Sequence, residues 1–334
     1  MKRVGVLVVM AALMAVSSAG AGTDARAKTL KIGMVTDAGG LNDHGFNHLA
    51  YQGLTEAQKE LGITFRVAES RSPSDYIPNL ASFARQGYDL VVGVGYTEIG
   101  AMGAVAKRFP KTRFAIVDVA DGDLAGKPKN VLGLLFREEQ VGYLAGYLAG
   151  LEAKRAPGKK DVVSSVAGQK QPPVDRFIAG YQAGARKADP GITVVNAYSQ
   201  DFNDPSKCKP IALNQIAAGS QVVFQVAAGC GLGALDAAKQ QHVWGIGVDA
   251  DQSFLGPHIL TSATKRVDRA VFLAIKRVKD GTFRGGDAVF GLDQDGVGLG
   301  RISPKVPKAD VAAVNRIKAL IVAGKITPPR VLKG

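Results

Sequence analysis

Cysteine is scarce in this 334-residue chain, with two residues at 208 and 230; tryptophan occurs once and histidine four times. So few imidazole and thiol groups argue against a metal-centred protein. His44 and His48 stand four apart but have no evident third ligand, and His242 and His258 are isolated. No Gly-x-Ser-x-Gly, P-loop or helix-turn-helix head occurs, which removes the common signals of serine hydrolases, P-loop enzymes and DNA-binding repressors. Gly229-Cys-Gly-Leu-Gly-Ala234 lacks the spacing of a dinucleotide fingerprint, and no acidic residue follows at the expected distance. No cofactor is therefore expected. Beyond residue 16 no apolar run is long enough to span a bilayer, and there is no low-complexity stretch.

What is present begins with a leader. Lys2 and Arg3 precede an apolar run from Val4 to Val16, and Ser17-Ser-Ala-Gly-Ala21 follows. This order reads as a Sec-type secretory signal, residues 1–21, cleaved after Ala21. No cysteine lies near the cleavage region, so the expectation is an exported protein, periplasmic or extracellular, and not a lipoprotein. The formal net charge is +13, but the basic residues are dispersed (Lys107, Arg108, Lys154, Lys159, Lys305) and lack interleaved aromatics. Nucleic acid is not an expected partner.

A unit of about 130 residues occurs twice. Phe46-Asn-His-Leu-Ala-Tyr-Gln-Gly53 is echoed by Phe177-Ile-Ala-Gly-Tyr-Gln-Ala-Gly184, and Gly62-Ile-Thr64 by Gly191-Ile-Thr193. Ile116-Val-Asp-Val-Ala-Asp121 pairs with Ile246-Gly-Val-Asp-Ala-Asp251. The period is far longer than a solenoid repeat, so each copy should be a lobe. Within each copy, short Val/Ile-rich runs (89–94, 113–117, 131–136; 161–166, 221–226, 243–248) alternate with segments of helical periodicity (46–61, 98–109; 172–188, 205–218, 231–241). Such alternation predicts parallel sheets covered on both faces, an α/β fold of two Rossmann-like lobes. Glu138–Lys154 is a predicted helix leading from one lobe to the other, and the tail should cross back, making a multi-crossing hinge. The expected division is 29–137 plus about 263–284 for the first lobe and 138–262 plus about 285–334 for the second. A cleft between lobes is a favoured ligand site.

Residues 30–330 resemble the basic membrane protein family of substrate-binding proteins, also called the purine nucleoside receptor type. The matching stretches are Thr36-Asp-Ala-Gly-Gly-Leu-Asn-Asp-His-Gly-Phe-Asn47, Ala167-Gly-Gln-Lys170 and Asp201-Phe-Asn-Asp-Pro205. Phe224-Gln-Val-Ala-Ala-Gly-Cys-Gly-Leu-Gly233, Ile246-Gly-Val-Asp-Ala-Asp-Gln252 and Leu260-Thr-Ser-Ala-Thr-Lys-Arg-Val-Asp268 complete the series. His44-Gly45 departs from the family, which more often has Ser before the Phe. The resemblance implies a type I periplasmic-binding fold, no catalysis, and delivery of a purine nucleoside (guanosine, adenosine or inosine) to an ABC permease by a monomer. It further implies that Asp37 and Asp118 contact the base and that Asp249 with Lys265 contacts the ribose. Another flat heterocycle or small metabolite as ligand, and a nucleoside-processing enzyme, are the alternatives.

The residues support that assignment physically. Asp37, Asp118 and Asp249 each fall at or just past a predicted strand end, the rim where open α/β sheets bind ligands. Carboxylates there accept hydrogen bonds from ring N–H groups and ribose hydroxyls; Asn47 is a further polar candidate. Phe46 follows a Gly-rich turn and Phe202 sits in a polar one, one per lobe, so closure would sandwich a base. The competing roles are turn or helix capping for the aspartates and core packing for the phenylalanines. Phe177 and Phe224 read as core, and Tyr96 as a possible cleft residue. Cys208, in the first turn of a helix, and Cys230, just past the next strand, share one sheet edge, so a disulfide is expected.

Overall fold

The Val/Ile-rich runs that carry no polar face become strands buried on both sides. The structure, a computed structural model, describes Met1 and residues 29–155 and 161–332; the expected signal peptide lies outside the described residues apart from Met1. In the first lobe β1 (Lys31–Thr36), β2 (Thr64–Ala68), β3 (Leu90–Val94), β4 (Arg113–Val117) and β5 (Val131–Phe136) run in the order β5-β4-β3-β1-β2. In the second, β6 (Val162–Ala167), β7 (Thr193–Tyr198), β8 (Val222–Val226), β9 (Trp244–Asp249) and β10 (Ile259–Lys265) repeat it as β10-β9-β8-β6-β7. The sequence repeat is therefore a repeat of sheet topology. β3 and β8, equivalent central strands, are buried at every position, as sheets covered on both faces require.

Helices fill the connections: α1 (Phe46–Leu61), α2 (Tyr76–Arg85), α3 (Ile99–Arg108), α4 (Glu138–Lys154), α5 (Pro172–Ala188), α6 (Pro205–Ala217), α7 (Ala228–Gln240), α8 (Val267–Lys279) and α9 (Lys308–Val322). The tail then exchanges strands between lobes. β11 (Gly286–Phe290) joins the first sheet parallel to β5, and β12 (Val297–Leu299) joins the second antiparallel to β10. Among the described residues, that last pairing is the one departure from parallel order. The expected boundaries shift accordingly. β10 stays in the second sheet through Lys265, held there by β12, so the return to the first lobe starts after 265 and not at 263. It also reaches Phe290, six residues beyond the expected 284, because β11 is an edge strand too short for its alternation to be read. The chain thus passes between lobes three times.

Helix packing exploits glycine at one repeated place. α4 and α5 meet backbone to backbone: a Cβ on Gly142 or Gly146 would strike the carbonyl oxygens of Phe177 and Tyr181, and one on Gly180 or Gly184 those of Glu139 and Tyr143. In the first lobe Gly53, the repeat equivalent of Gly184, lets α1 approach the Asp268 carbonyl at the start of α8. Each helix that leaves a hinge crossing is thereby seated on the first helix of its lobe. A disulfide joins Cys208 of α6 to Cys230 of α7, with Cα atoms 5.5 Å apart. Closing a loop of that length contributes about 3 kcal/mol by the chain-entropy estimate.

Opposite signs are expected for one substitution at two glycines. Gly184→Ala should lower stability by about 1–3 kcal/mol through overpacking. Gly100→Ala, in α3 with nothing within 4 Å of the added methyl, should raise it by up to about 1 kcal/mol through helix propensity. Urea denaturation of the two variants checks both.

Candidate functional site

The carboxyl ends of both sets of strands face a single cavity between the lobes. Asp37 follows β1, Gly95 to Thr97 follow β3, and Asp118 follows β4; from the other side come Gln171 after β6, Phe202 after β7, Ala228 after β8, and Asp249 and Lys265 at the ends of β9 and β10. All seven residues singled out in the sequence (Asp37, Phe46, Asn47, Asp118, Phe202, Asp249 and Lys265) line it. Tyr96 lines it as well. Phe177, expected in the core, is both: 2% exposed, yet with its ring on the cavity wall. A larger concavity of about 790 Å³ around Trp244, Arg155 and Lys305 lies at the amino-terminal ends of the second sheet's strands, away from the rim where this class of sheet binds ligands.

The turn after β1 is built by two aspartates with separate tasks. Asp43 caps α1: its carboxylate accepts the backbone N–H groups of Gly45 (3.0 Å), Asn47 (2.6 Å) and His48 (3.2 Å). They are the amides of the N-cap residue and the first turn, which would otherwise lack partners. Helix capping thus falls to Asp43, six residues on, while Asp37 keeps the turn-capping role weighed for it. Asp37 Oδ1 accepts from Gly39 N–H (2.8 Å) and from Asn47 Nδ2 (2.7 Å), which turns the carboxyl along the cavity wall. Burial pushes its pKa up to about 6, against the lowering effect of those two hydrogen bonds.

Phe46 and Phe202 enter from opposite lobes, and neither is a core residue: both are partly exposed and packed on the edge of the main cluster. Phe202 owes its place to a fixed loop. Asp201 Oδ1 accepts the N–H groups of Asn203 (2.7 Å) and Asp204 (2.8 Å), while the N–H of Cys230 donates to the Phe202 carbonyl (3.0 Å). The ring lies against Gly168, where a Cβ would overlap it. The disulfide therefore braces the segment that carries this aromatic. At the rim, Asn203 Nδ2 donates to the Ala38 carbonyl of the other lobe (3.0 Å).

The opposite end of the cavity holds charge. Lys265 is 2% exposed, and its Nζ donates to both oxygens of Asp118 (2.9 and 2.7 Å) and to Glu138 Oε1 (3.4 Å). The ammonium lies over the rings of Phe46 (4.9 Å), Phe136 (5.1 Å) and Phe177 (5.6 Å), a cation–π arrangement. Desolvation alone would depress its pKa, yet Asp118, Glu138 and Asp249 together raise it. Glu138 Oε2 in turn receives Arg176 Nη1 at 3.3 Å. Glu138 and Arg176 went unremarked in the sequence because nothing in the helix patterns of α4 and α5 shows which face meets a buried lysine. Asp118 was assigned to the base by resemblance; here its two oxygens are engaged by Lys265.

Asp118 and Asp249 both adopt left-handed backbone conformations, φ 70° and 63°. They are near-equivalents in the repeat, each at the end of its strand with the same kink. Non-glycine residues held in this region mark sites where geometry outweighs local comfort. Burial raises the Asp249 pKa to about 7, countered by Lys265 and reinforced by Asp118, Asp43 and Asp37.

This shift sets a pH-dependence of stability. Unfolded, the Asp249 side chain ionises near 3.8, whereas folded it does so near 7. Its contribution is complete below the lower value and is lost as pH rises through the upper one. Asp249→Asn, which cannot ionise, should therefore gain thermal stability relative to wild type between about pH 5 and pH 8. Paired melting curves at the two pH values check the sign.

Comparison with known proteins places these features. A family model described as ABC transporter substrate-binding protein PnrA-like matches residues 30–330. A CD4+ T-cell-stimulating antigen of Listeria innocua is 36% identical, the alignment covering 92% of this chain and 90% of that one. The ABC transporter nucleoside-binding protein BmpA of Lactococcus lactis subsp. cremoris is likewise 36% identical, covering 92% of each. An uncharacterized lipoprotein of Pyrococcus horikoshii is 34% identical over 81% of this chain, so lipid-anchored relatives exist; the expectation of an unanchored protein rests on a leader outside the described residues. Among solved structures, an ABC transporter solute-binding protein from Aeropyrum pernix K1 superposes with a TM-score of 0.82 at 28% identity, covering 90% of this chain and 94% of that one. A LacI-family repressor from Corynebacterium glutamicum, at 14% identity and a TM-score of 0.58, shares the fold alone. With a type I periplasmic-binding fold and a family match along nearly all of the described residues, this chain belongs to the PnrA-like (Bmp) family of ABC transporter substrate-binding proteins.

Proposed function

We propose that the protein binds a purine nucleoside in the interlobe cavity and presents it, as a monomer outside the cytoplasm, to the permease of an ABC importer. The observation that carries this reading is the pairing of Phe46 and Phe202, one from each lobe, across a cavity with acceptors at one end and a lysine-centred charge cluster at the other. A flat base stacks between the rings, each stack contributing about 1–3 kcal/mol. Its polar edge meets Asp37 and Asn47. The ribose lies toward Asp249 and Lys265, where hydroxyls both donate to the carboxylate and accept from the ammonium. The nucleoside-binding name of the Lactococcus relative points the same way. A phosphate is disfavoured, because Asp37, Asp118, Asp249 and Glu138 outnumber Lys265 and Arg176 around the cavity. Lobe closure over ligand shifts the population between open and closed forms.

Calorimetry with nucleosides, free bases and nucleoside monophosphates tests this directly: the nucleoside should bind tightest. Phe202→Ala should cost about 1–3 kcal/mol of affinity while leaving the apo melting temperature nearly unchanged. Asp249→Asn should weaken a ribonucleoside more than its 2′-deoxy analogue. A monophosphate binding tighter than its nucleoside, or release of free base on incubation, would refute the proposal.

A further inference from the structure

The base end of the cavity offers acceptors that no protein donor fills. Asn47 is 1% exposed, and its Nδ2 donates to Asp37 Oδ1 (2.7 Å) and to Asp43 Oδ2 (3.1 Å). With a carboxylate on each amide hydrogen, chemistry fixes the orientation of the side chain: turned over, its oxygen would face two carboxylates. Oδ1 is therefore an acceptor, and it is buried without a partner among the described residues. Asp37 Oδ1 is already filled by Gly39 and Asn47, whereas Oδ2 receives no donor among the described residues. A buried acceptor left unmatched is costly, so a ligand supplying N–H groups here gains more than one that does not.

We propose that the site selects among purine nucleosides by the donor pattern of the base edge, favouring 6-oxopurine nucleosides with a hydrogen on N1, guanosine foremost, over adenosine. This rests on the nucleoside reading above. Guanine presents N1–H beside an N2 amino group, two adjacent donors for two acceptors. Hypoxanthine presents N1–H alone. Adenine presents one amino group beside the lone pair of N1, and that lone pair meets an acceptor.

The selectivity depends on the ionisation of Asp37. Asp43, Asp118 and Glu98 are the acidic groups around it; Tyr76, whose hydroxyl accepts from the Ala38 N–H, flanks the turn, and Lys265 and Asp249 lie across the cavity. Glu98 is fully buried, and desolvation raises its pKa well above the ordinary value. Above its pKa of about 6 Asp37 is an acceptor; below it, the protonated carboxyl becomes a donor able to pair with N1 of adenine.

Titration of the full chain with guanosine, inosine and adenosine by calorimetry, at about pH 7.5 and about pH 5, tests this. At the higher pH guanosine should bind at least about tenfold tighter than adenosine, with inosine between them. At the lower pH the gap to adenosine should shrink severalfold. Asp37→Asn, which offers a donor and an acceptor at any pH, should narrow the gap at both. An unchanged apo melting temperature shows whether that variant is folded, and if it is not, the wild-type pH series decides. Equal affinities, an adenosine preference at about pH 7.5, or a gap indifferent to pH would each overturn the inference. If none of the three binds, the nucleoside reading itself fails and takes the selectivity with it.

Discussion

The arrangement of the two lobes depends on one buried ammonium. Lys265 sits where water cannot solvate it, and an unpaired charge there would cost several kcal/mol. Its partners come from three separate places: Asp118 from the tip of the first sheet, Glu138 from the start of the helix after the first crossing, and Asp249 from the tip of the second sheet. The pairing holds only when both sheets present their carboxyl ends to the same point. Three aromatic rings enclose the ammonium, and two of them, Phe46 and Phe177, lie on equivalent helices of the repeat. Duplication of one lobe thus provides two matched aromatic walls and two matched aspartates for a single cation.

That economy has an electrostatic consequence for binding. The cavity gathers more carboxyl groups than cations, and burial raises the pKa of Asp37, Glu138 and Asp249 to the range of about 6–7. These groups strain the apo protein at neutral pH, and a ligand rich in N–H and O–H donors relieves the strain.

Much of the fold could be read from periodicity alone. α1, α4 and α5 have the bounds their apolar spacing implies, and the central strands fall within a residue or two of expectation because runs such as Leu-Val-Val-Gly-Val have no polar face to misplace. The exchange strands showed only through the turn between them: Gly291-Leu-Asp-Gln-Asp-Gly296 reads as a turn joining two strands, but β11 alternates over five residues and β12 spans three, too short for pattern to show which sheet each joins. At the site, the strand-end aspartates were visible because topology makes their position meaningful. The chain of contacts from Lys265 to Glu138 to Arg176 was not, since its links join residues 127 and 38 positions apart on different elements. The division of labour between Asp43 and Asp37 was also hidden; two acidic residues in one turn carry no mark of which one faces the helix.

The three crossings have a mechanical meaning. Parallel straps fastened side by side resist twisting and sliding and leave a single soft rotation, like the leaves of a door. Glu138 opens the first of those straps and Lys265 immediately precedes the second, so the charged cluster lies beside the crossings. Asn203 and Ala38 meet at the far rim, where the lever arm is longest. Swinging open would part the rim and separate Phe202 from Phe46, and because Lys265 ends a strand of the second sheet while Asp118 lies at the tip of the first, the charged pairing would have to stretch with it.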